Sequence, residues 1–302
     1  MHIAQKKSRS RKALCLLLGY SRQAYYQQKA ASEQRVLQEE LIVQEVLRLR
    51  SRQKKIGTRK LYLLLGPFLS AHHLQIGRDA LFELLSAHRL LIRKRRRRVP
   101  QTTFSSHWFR KYPNLIVNMP VLRPNTLWVS DITYITLKDD FAYLSLVTDA
   151  YSRMITGYHL SKNLLAEGCV KALKMALKQL PGNNMLIHHS DRGSQYCSTE
   201  YVEQLQNKHI AISMTLHSDP RENAIAERVN GILKQELLEV CYSSFEQARE
   251  GIKNAISIYN HERPHSSVDM LTPFQAHSLN GVLKRHWKNY YRINKERRLQ
   301  EM

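Results

Sequence analysis

The chain has 302 residues, 47 Lys+Arg against 25 Asp+Glu and a formal charge of +22 at neutral pH. That surplus points to a polyanionic partner, because lysines and arginines gain by releasing counterions from phosphates. The four cysteines, Cys15, Cys169, Cys197 and Cys241, are scattered without a C-x-x-C pair, which argues against a zinc cluster or a disulfide framework and fits a reducing cytoplasm. The longest apolar runs, such as Leu61-Tyr62-Leu63-Leu64-Leu65, are too short to cross a bilayer, and the N-terminal charges are not followed by the apolar stretch of an export signal.

Charge is concentrated at the N-terminus, where residues 1–100 hold 23 Lys+Arg against 6 Asp+Glu, or +17 of the +22. Residues 1–32 read as a short helix-turn-helix: "SRSRKALCLLL", then Gly19-Tyr20, then Ser21 as N-cap of "RQAYYQQK". A second helical region over 33–92 follows, with a Gln-rich helix near 34–53 and a further helix pair from 57 to 91. The last of these helices begins near Gly77 and carries Arg78 and Asp79 in its first turn, the position from which such motifs meet base edges or phosphates. A plain packing hairpin would show the same pattern. Residues 93–123 read as a basic linker opened by Arg93, Lys94, Arg95, Arg96, Arg97 and Arg98, six adjacent cations best tolerated beside an anion.

After Pro124 the pattern turns to strands. "TLWVSDITYITL", "FAYLSLVTDAYSR" and "MITGYHLS" follow one another with "KDD" and "YSR" as turns, an antiparallel meander. A helix through "LLAEGCVKALKMALKQL" leads to an apolar strand from Asn184 to Ile187 ahead of "HHSDRGSQY". "TEYVEQLQNKHI" is a second helix, "AISMTLHS" a fifth strand and "ENAIAERVNGILKQELLEV" a long helix. Three antiparallel strands followed by strand–helix crossovers are the order of a ribonuclease-H-like α/β fold, a five-stranded mixed sheet with flanking helices. It spans residues 124–275 here, preceded by the all-α region and followed by a basic tail, 276–302.

Three acids stand out. Alternation puts Asp131 mid-strand on a face with Val129, Thr133 and Ile135, where a lone carboxylate costs several kcal/mol unless a cation or donors meet it. Asp191 ends a strand ahead of Gly193. At ~100° per residue, Asn223, Asn230 and Lys234 fall within about 60° of Glu227, while Ile225, Val229 and Ile232 lie opposite. Two asparagines are poor choices for a solvated helix face and read better as side chains with partners.

Asp131 and Asp191 are separated by 59 residues, Asp191 and Glu227 by 35. With "WVSDITYI", "HSDRGSQY" and "NAIAERVNGILKQE" around them, residues 124–275 resemble the catalytic core of DDE transposases and retroviral-type integrases. "YNHERPHSSVDMLTP", Tyr259 to Pro273, looks like the tail motif of the bacterial insertion-sequence branch whose transposase is encoded in two overlapping frames. The N-terminal helix pairs and linker match its second-frame protein.

The resemblance implies that Asp131, Asp191 and Glu227 are a catalytic triad gathered within one metal site's reach. It implies two Mg²⁺ ions with DNA bound, Mn²⁺ substituting, and metal-dependent strand cleavage followed by 3′-hydroxyl strand transfer. Lys234, seven residues after the Glu, would contact DNA, and Asn230, Arg78 and the Arg93–Arg98 run are further candidates. Implied partners are double-stranded DNA at the element ends and target, further copies of the chain on DNA, and an upstream first-frame helix-turn-helix protein, either separate or as a frameshift fusion. The expected location is the cytoplasm, at the nucleoid when DNA-bound.

In "PRENA", Arg221 and Glu222 replace the family's aromatic and Asp. Asp139, Asp140, Asp149 and Asp219 fall outside the matched blocks and read as structural or solvated. Competing readings are a nuclease of this fold that only hydrolyses, and a transposase-derived repressor without chemistry. Strand joining and Mg²⁺-dependent nicking, respectively, separate them from a transposase.

Overall fold

The computed structural model describes residues 15–17, 19–92, 108–182, 185–216 and 220–286. The chain divides into two compact units, Met1–Arg93 and Lys94–Met302. The Arg93–Arg98 run, Asp219 and the tail beyond 286 lie outside the described residues.

Among its described residues the first unit contains the helices α1 Arg22–Arg52, α2 Thr58–Ala71 and α3 Arg78–Ala87. The two helices expected over 22–29 and 34–53 are one helix of 31 residues, because the intervening Ala30-Ala31-Ser32-Glu33 contains no glycine or proline to end it. The Ser21 hydroxyl accepts from Ala24 N–H at 3.0 Å, the N-cap read from sequence. Only the C-terminal part of α1 is buried, through Ile42 and Val46, which join Leu61, Leu65, Leu69, Leu81, Leu84 and Leu85 in one core. Gly77 is the N-cap of α3.

The second unit is built on a sheet of β1 Leu127–Thr136, β2 Phe141–Asp149, β3 Ile155–Ser161, β4 Ile187–Ser190 and β5 Ala211–Met214, in the order β3-β2-β1-β4-β5. β1 runs antiparallel to β2 and β2 to β3, while β4 is parallel to both β1 and β5. This is the mixed, ribonuclease-H-like sheet expected from the strand order. Helices α4 Ala166–Leu177, α5 Ser194–Cys197 and α6 Thr199–Gln206 follow β3 and β4. α4 and α6 cover one face with Cys169, Val170, Leu173, Tyr201 and Leu205 around Trp128. The close seat of α4 requires Gly157, since a Cβ there would stand 2.2 Å from the Ala172 carbonyl oxygen.

The other face is covered by α7 Ala224–Ile232 and α8 Phe245–His261, which place Val229, Ile232, Ile252 and Ile256 against Ile135 and Leu144. The long helix expected through residue 240 is broken. A 3₁₀ turn, Pro220–Asn223, precedes α7, and the helix widens into a π turn over Leu233–Leu237, closed by Leu238 N–H on the Leu233 carbonyl. The apolar strand expected at 184–187 also shifts: Met185 is 87% exposed and pairing begins at Ile187.

The tail motif is structural. Arg263, 1% exposed, donates Nε and Nη2 to the two carboxylate oxygens of Glu236, both at 2.9 Å, a bidentate pair that ties the end of α8 to the π turn. Thr272 and Gln275 form a reciprocal capping box on α9, Pro273–Ala276.

Candidate active site

β4 pairs with β1 only over Leu127–Val129 and ends at Ser190. β1 continues to Thr136, so the two strands part where Asp131 and Asp191 follow their last paired residues. A crevice at the carboxyl end of parallel strands is where α/β sheets place ligands.

Asp131 is half-buried on β1. One of its oxygens accepts from its neighbour Ile132 N–H at 2.9 Å and the other from Asn230 Nδ2 at 2.8 Å. Burial and the Asp191 charge push its carboxyl up to about 7, with Glu227 adding to the rise, against the Ile132 and Asn230 hydrogen bonds. Asp191 accepts from Gly193 N–H at 3.0 Å. A Cβ on Gly193 would lie 3.1 Å from that Asp191 oxygen and 3.0 Å from Gln195 Oε1, so glycine is what lets the loop close on the carboxylate.

Glu227 is exposed on α7. Its charge reaches Asp131, but among the described residues no three His, Cys, Asp or Glu side chains are close enough together to hold a metal ion. The expected gathering of the triad within one metal site is therefore incomplete in this structure. Chemically the set still fits a hard divalent cation: three carboxylates supply only oxygen, and the repulsion that lifts Asp131 is what a cation would relieve.

The polar stripe of α7 splits. Asn223 and Asn230 are 6% and 7% exposed. Asn223 Nδ2 donates to the Ser130 carbonyl at 2.9 Å, so the two amides fasten α7 and its N-cap to β1 at Ser130 and at Asp131 itself. Asn230, expected at DNA, faces inward instead. Both asparagines do have partners, as their cost on a solvated helix suggested. Lys234 Nζ lies 3.7 Å from the Tyr134 ring centroid, held over an aromatic face of β1. In the other unit Arg78 is exposed in the first turn of α3 and ion-paired with its neighbour Asp79 at 2.8 Å.

Glu222, the nearest rival to Glu227, is occupied: it accepts from Leu216 N–H and from Asn114 Nδ2 at 3.4 Å. The buried side-chain hydrogen bonds of β4 were not legible in the sequence. His188 Nε2 meets Ser130 Oγ at 2.8 Å and Tyr201 OH at 2.9 Å, and burial drives its imidazole down to about 3. His189 Nδ1 meets Ser213 Oγ at 2.9 Å and is pushed down to about 4, again by burial. These neutral histidines, adjacent on β4 and so on opposite faces of the sheet, tie β4 to β1 and α6 through His188 and to β5 through His189. Two histidines inside the strand before Asp191 were the available signal.

The chain matches the integrase core domain family over residues 122–220, and a second integrase core domain family over 208–273. It is 33% identical over 266 residues to an insertion element IS600 uncharacterized 31 kDa protein of Shigella sonnei, covering 86% of this chain and 96% of that one. It is 34% identical over 159 residues to a putative transposase for insertion sequence element IS986/IS6110 of Mycobacterium tuberculosis, covering 50% of this chain and 57% of the relative. Against transposase InsF for insertion sequence IS3A of Escherichia coli the figures are 35% over 159 residues, 52% and 55%, so the chain matches little more than half the length of these two relatives. Among solved structures it is similar to the HTLV-2 integrase catalytic core domain in complex with magnesium, with a TM-score of 0.42 and 22% identity over 52% of this chain and 98% of that one. It is also similar to a simian T-cell lymphotropic virus intasome in complex with PP2A regulatory subunit B56 gamma, with a TM-score of 0.46 and 20% identity over 81% and 78%. The similarity to the Shigella sonnei protein runs through nearly the whole of both chains, and together with the two integrase-core matches it shows that this chain belongs to the IS3-type insertion-sequence transposases, whose catalytic unit is an integrase core.

Proposed function

We propose that this transposase cuts DNA strands at the ends of its element and joins the freed 3′-hydroxyl to a target strand, with Asp131, Asp191 and Glu227 as the acids that carry the chemistry. The observation that supports this most is Asp131, a half-buried carboxylate with two donors among the described residues, lifted to about 7 by burial and by the charges of Asp191 and Glu227. A fold does not sustain such crowding for its own stability, and strongly perturbed acids in a crevice mark functional sites. The three residues would hold two divalent cations, Mg²⁺ by availability with Mn²⁺ able to substitute. When bound, such a pair activates the attacking oxygen and stabilises the leaving one in an in-line displacement at phosphorus.

The chain's own part is positioning. Asn230 and the Ile132 N–H fix the orientation of Asp131, the Gly193 N–H fixes Asp191, and the buried His188 and His189 tie β4 to its neighbours. Glu227, on the exposed flank of α7, completes the set when DNA enters. Lys234, beside the same crevice, is a cation for the incoming backbone. The basic N-terminal third, with Arg78 on α3 and the Arg93–Arg98 run, supplies affinity for duplex DNA at element ends and target. Further copies of the chain and the upstream first-frame protein, alone or fused, are the protein partners, acting at the bacterial nucleoid in the cytoplasm.

The test is cleavage and joining of labelled element-end duplexes with Mg²⁺ by Asp131→Asn, Asp191→Asn and Glu227→Gln. Each is expected to lose at least ~10³-fold in both reactions while DNA affinity stays within about two-fold, because each removes ligand charge without touching the basic third. Full activity in the Glu227 variant would move the third acid elsewhere. Nicking without joining in the unaltered protein would make the chain a nuclease.

A further inference from the structure

The second unit is described from Trp108, and its first five described residues are Trp108-Phe109-Arg110-Lys111-Tyr112, two cations threaded among three aromatic rings. Phe109 and Tyr112 are partly buried against the core that includes Tyr196, Cys197 and Met214. The Arg110 guanidinium lies 5.2 Å from the Tyr112 ring centroid. Trp108 rests on Phe109, with centroids 4.4 Å apart and planes tilted by 32°, and is nevertheless 88% exposed. A large aromatic is normally among the most buried of side chains. Here one ring face is backed by a core-anchored phenylalanine and the remainder of the indole is offered to solvent.

The place of this segment is fixed by the sheet. Met214 N–H donates to the Pro113 carbonyl at 3.2 Å and Leu115 N–H to Ser213 Oγ at 2.9 Å, so residues 113–115 run along the outer edge of β5. Met214 is paired with Ser190, and Asp191 follows. Pro113 is therefore two strand spacings, about 10 Å, from the end of β4 that carries the catalytic aspartate. Lys111 is exposed on this segment, and Lys111 and Asp191 both lie within electrostatic reach of the Cys197 thiol. The Pro113 end of the segment is thus within a few nucleotides of a phosphate held at Asp191.

We propose that Trp108 and Lys111 form a binding shelf for an unpaired nucleotide of the DNA strand being processed, the base stacking on the Trp108 indole and the phosphate meeting Lys111. This rests on the reading of the carboxylate site as the place where a DNA strand is cut. The base must be unpaired because a base inside a duplex already has both faces covered, whereas a splayed terminal base gains a stacking partner whatever its identity. The bases at an element end, next to the cut, are those that leave the stack at least cost. The shelf thus favours ends that open, and adds affinity close to the reaction without reading sequence.

The experiment uses the full chain with two DNA probes, an element-end duplex fully paired and the same duplex with its last three nucleotides unpaired. Indole emission is followed during titration, and cleavage is measured on the same probes. The unpaired probe should quench emission more than the paired one, and W108F should remove that difference. W108A should raise KM on the unpaired probe roughly ten-fold with kcat little changed, since one base–aromatic stack has about that effect. W108F, which keeps a ring, should recover most of the loss, and K111Q should lower the salt slope of binding by about one unit. The proposal is overturned if W108A leaves both quenching and KM unchanged, or if it alters the sedimentation of the protein and not its DNA binding, which would make Trp108 a contact between proteins. If the unaltered chain fails to cleave either probe while Trp108-dependent quenching persists, the catalytic reading fails and the shelf stands. Thermal midpoints equal to that of the unaltered protein show that the exposed substitutions leave the fold intact.

Discussion

Two aspartates on adjacent strands of one sheet meet opposite fates. Asp149, the last residue of β2, is fully buried, and its two oxygens accept from Asn125 N–H, Tyr151 N–H, Ser152 N–H and the Ser152 hydroxyl at 2.7–3.1 Å. Asp131, on β1, is less buried yet among the described residues has two donors, one of them its own neighbour, and it faces the charges of Asp191 and Glu227. Charge-assisted hydrogen bonds repay the desolvation of the first. Nothing in the protein fully repays that of the second. A structural carboxylate is surrounded by donors; on the proposed function Asp131 is left short of them so that a cation from outside can complete it.

The comparison is broken most severely at Asp149. Asp149→Ala deprives three backbone N–H groups of their acceptor, two of them buried, leaves the Ser152 hydroxyl only His277 Nδ1 and the Met154 N–H, and opens the corner where Asn125 also accepts from the Trp128 indole at 3.1 Å. Loss of about 3–5 kcal/mol from the second unit is expected, as for other buried charges removed from their partners. Chemical denaturation reads it directly, and a loss below 1 kcal/mol would deny the donors their assigned value.

His188 and His189 sharpen the same contrast through pH. Both are buried neutral, pushed down to about 3 and about 4, whereas in the unfolded chain they take up protons near 6.5. The folded state refuses protons that the unfolded state accepts, so their contribution is complete above pH 6.5 and is lost as pH falls toward 4. The loss is on the order of several kcal/mol for the pair. Denaturation midpoints measured between pH 7 and pH 4 should fall steeply, and His188→Asn should flatten the slope even if it lowers stability overall.

How much of this was legible beforehand follows from which forces are local. Strand order, the meander turns and the α3 boundary at Gly77 were readable because period-2 alternation, turn residues and caps act within a few positions. The three acids were singled out by the spacing and flanking blocks that carry the resemblance. What failed was decided at a distance. Met185 looked like strand and is 87% exposed, because β4 starts only where β1 and β5 offer hydrogen bonds. The helix after Asn223 was expected to run straight, and its π turn is held by Arg263, 27 residues beyond Glu236. Asn230 was correctly suspected of having a partner, but that Asp131 is a partner needed the packing of α7 on β1.

The smallest expected effect is also the most direct test of the contrast between the two aspartates. A carboxyl raised from its ordinary 3.8 to about 7 in the fold holds its proton where the unfolded chain has released it. The folded state thus binds the extra proton, and stability from this group declines as pH rises from about 4 to about 7 and stays low above that range. This is the reverse of the histidine pair. Asp131→Asn keeps an oxygen to accept from Asn230 and carries no charge for Asp191 and Glu227 to repel. The full shift corresponds to about 4 kcal/mol, which solvent at this half-buried carboxylate screens, so without divalent cations at pH 8 the variant should be more stable than the unaltered protein by about 1–2 kcal/mol, while at pH 4 the two should coincide. Adding Mg²⁺ should narrow or reverse the gap at pH 8, because only the aspartate form gains from the cation. An Asp131→Asn protein that is less stable at pH 8 without metal would mean that the crevice already satisfies this carboxylate as fully as the β2 corner satisfies Asp149.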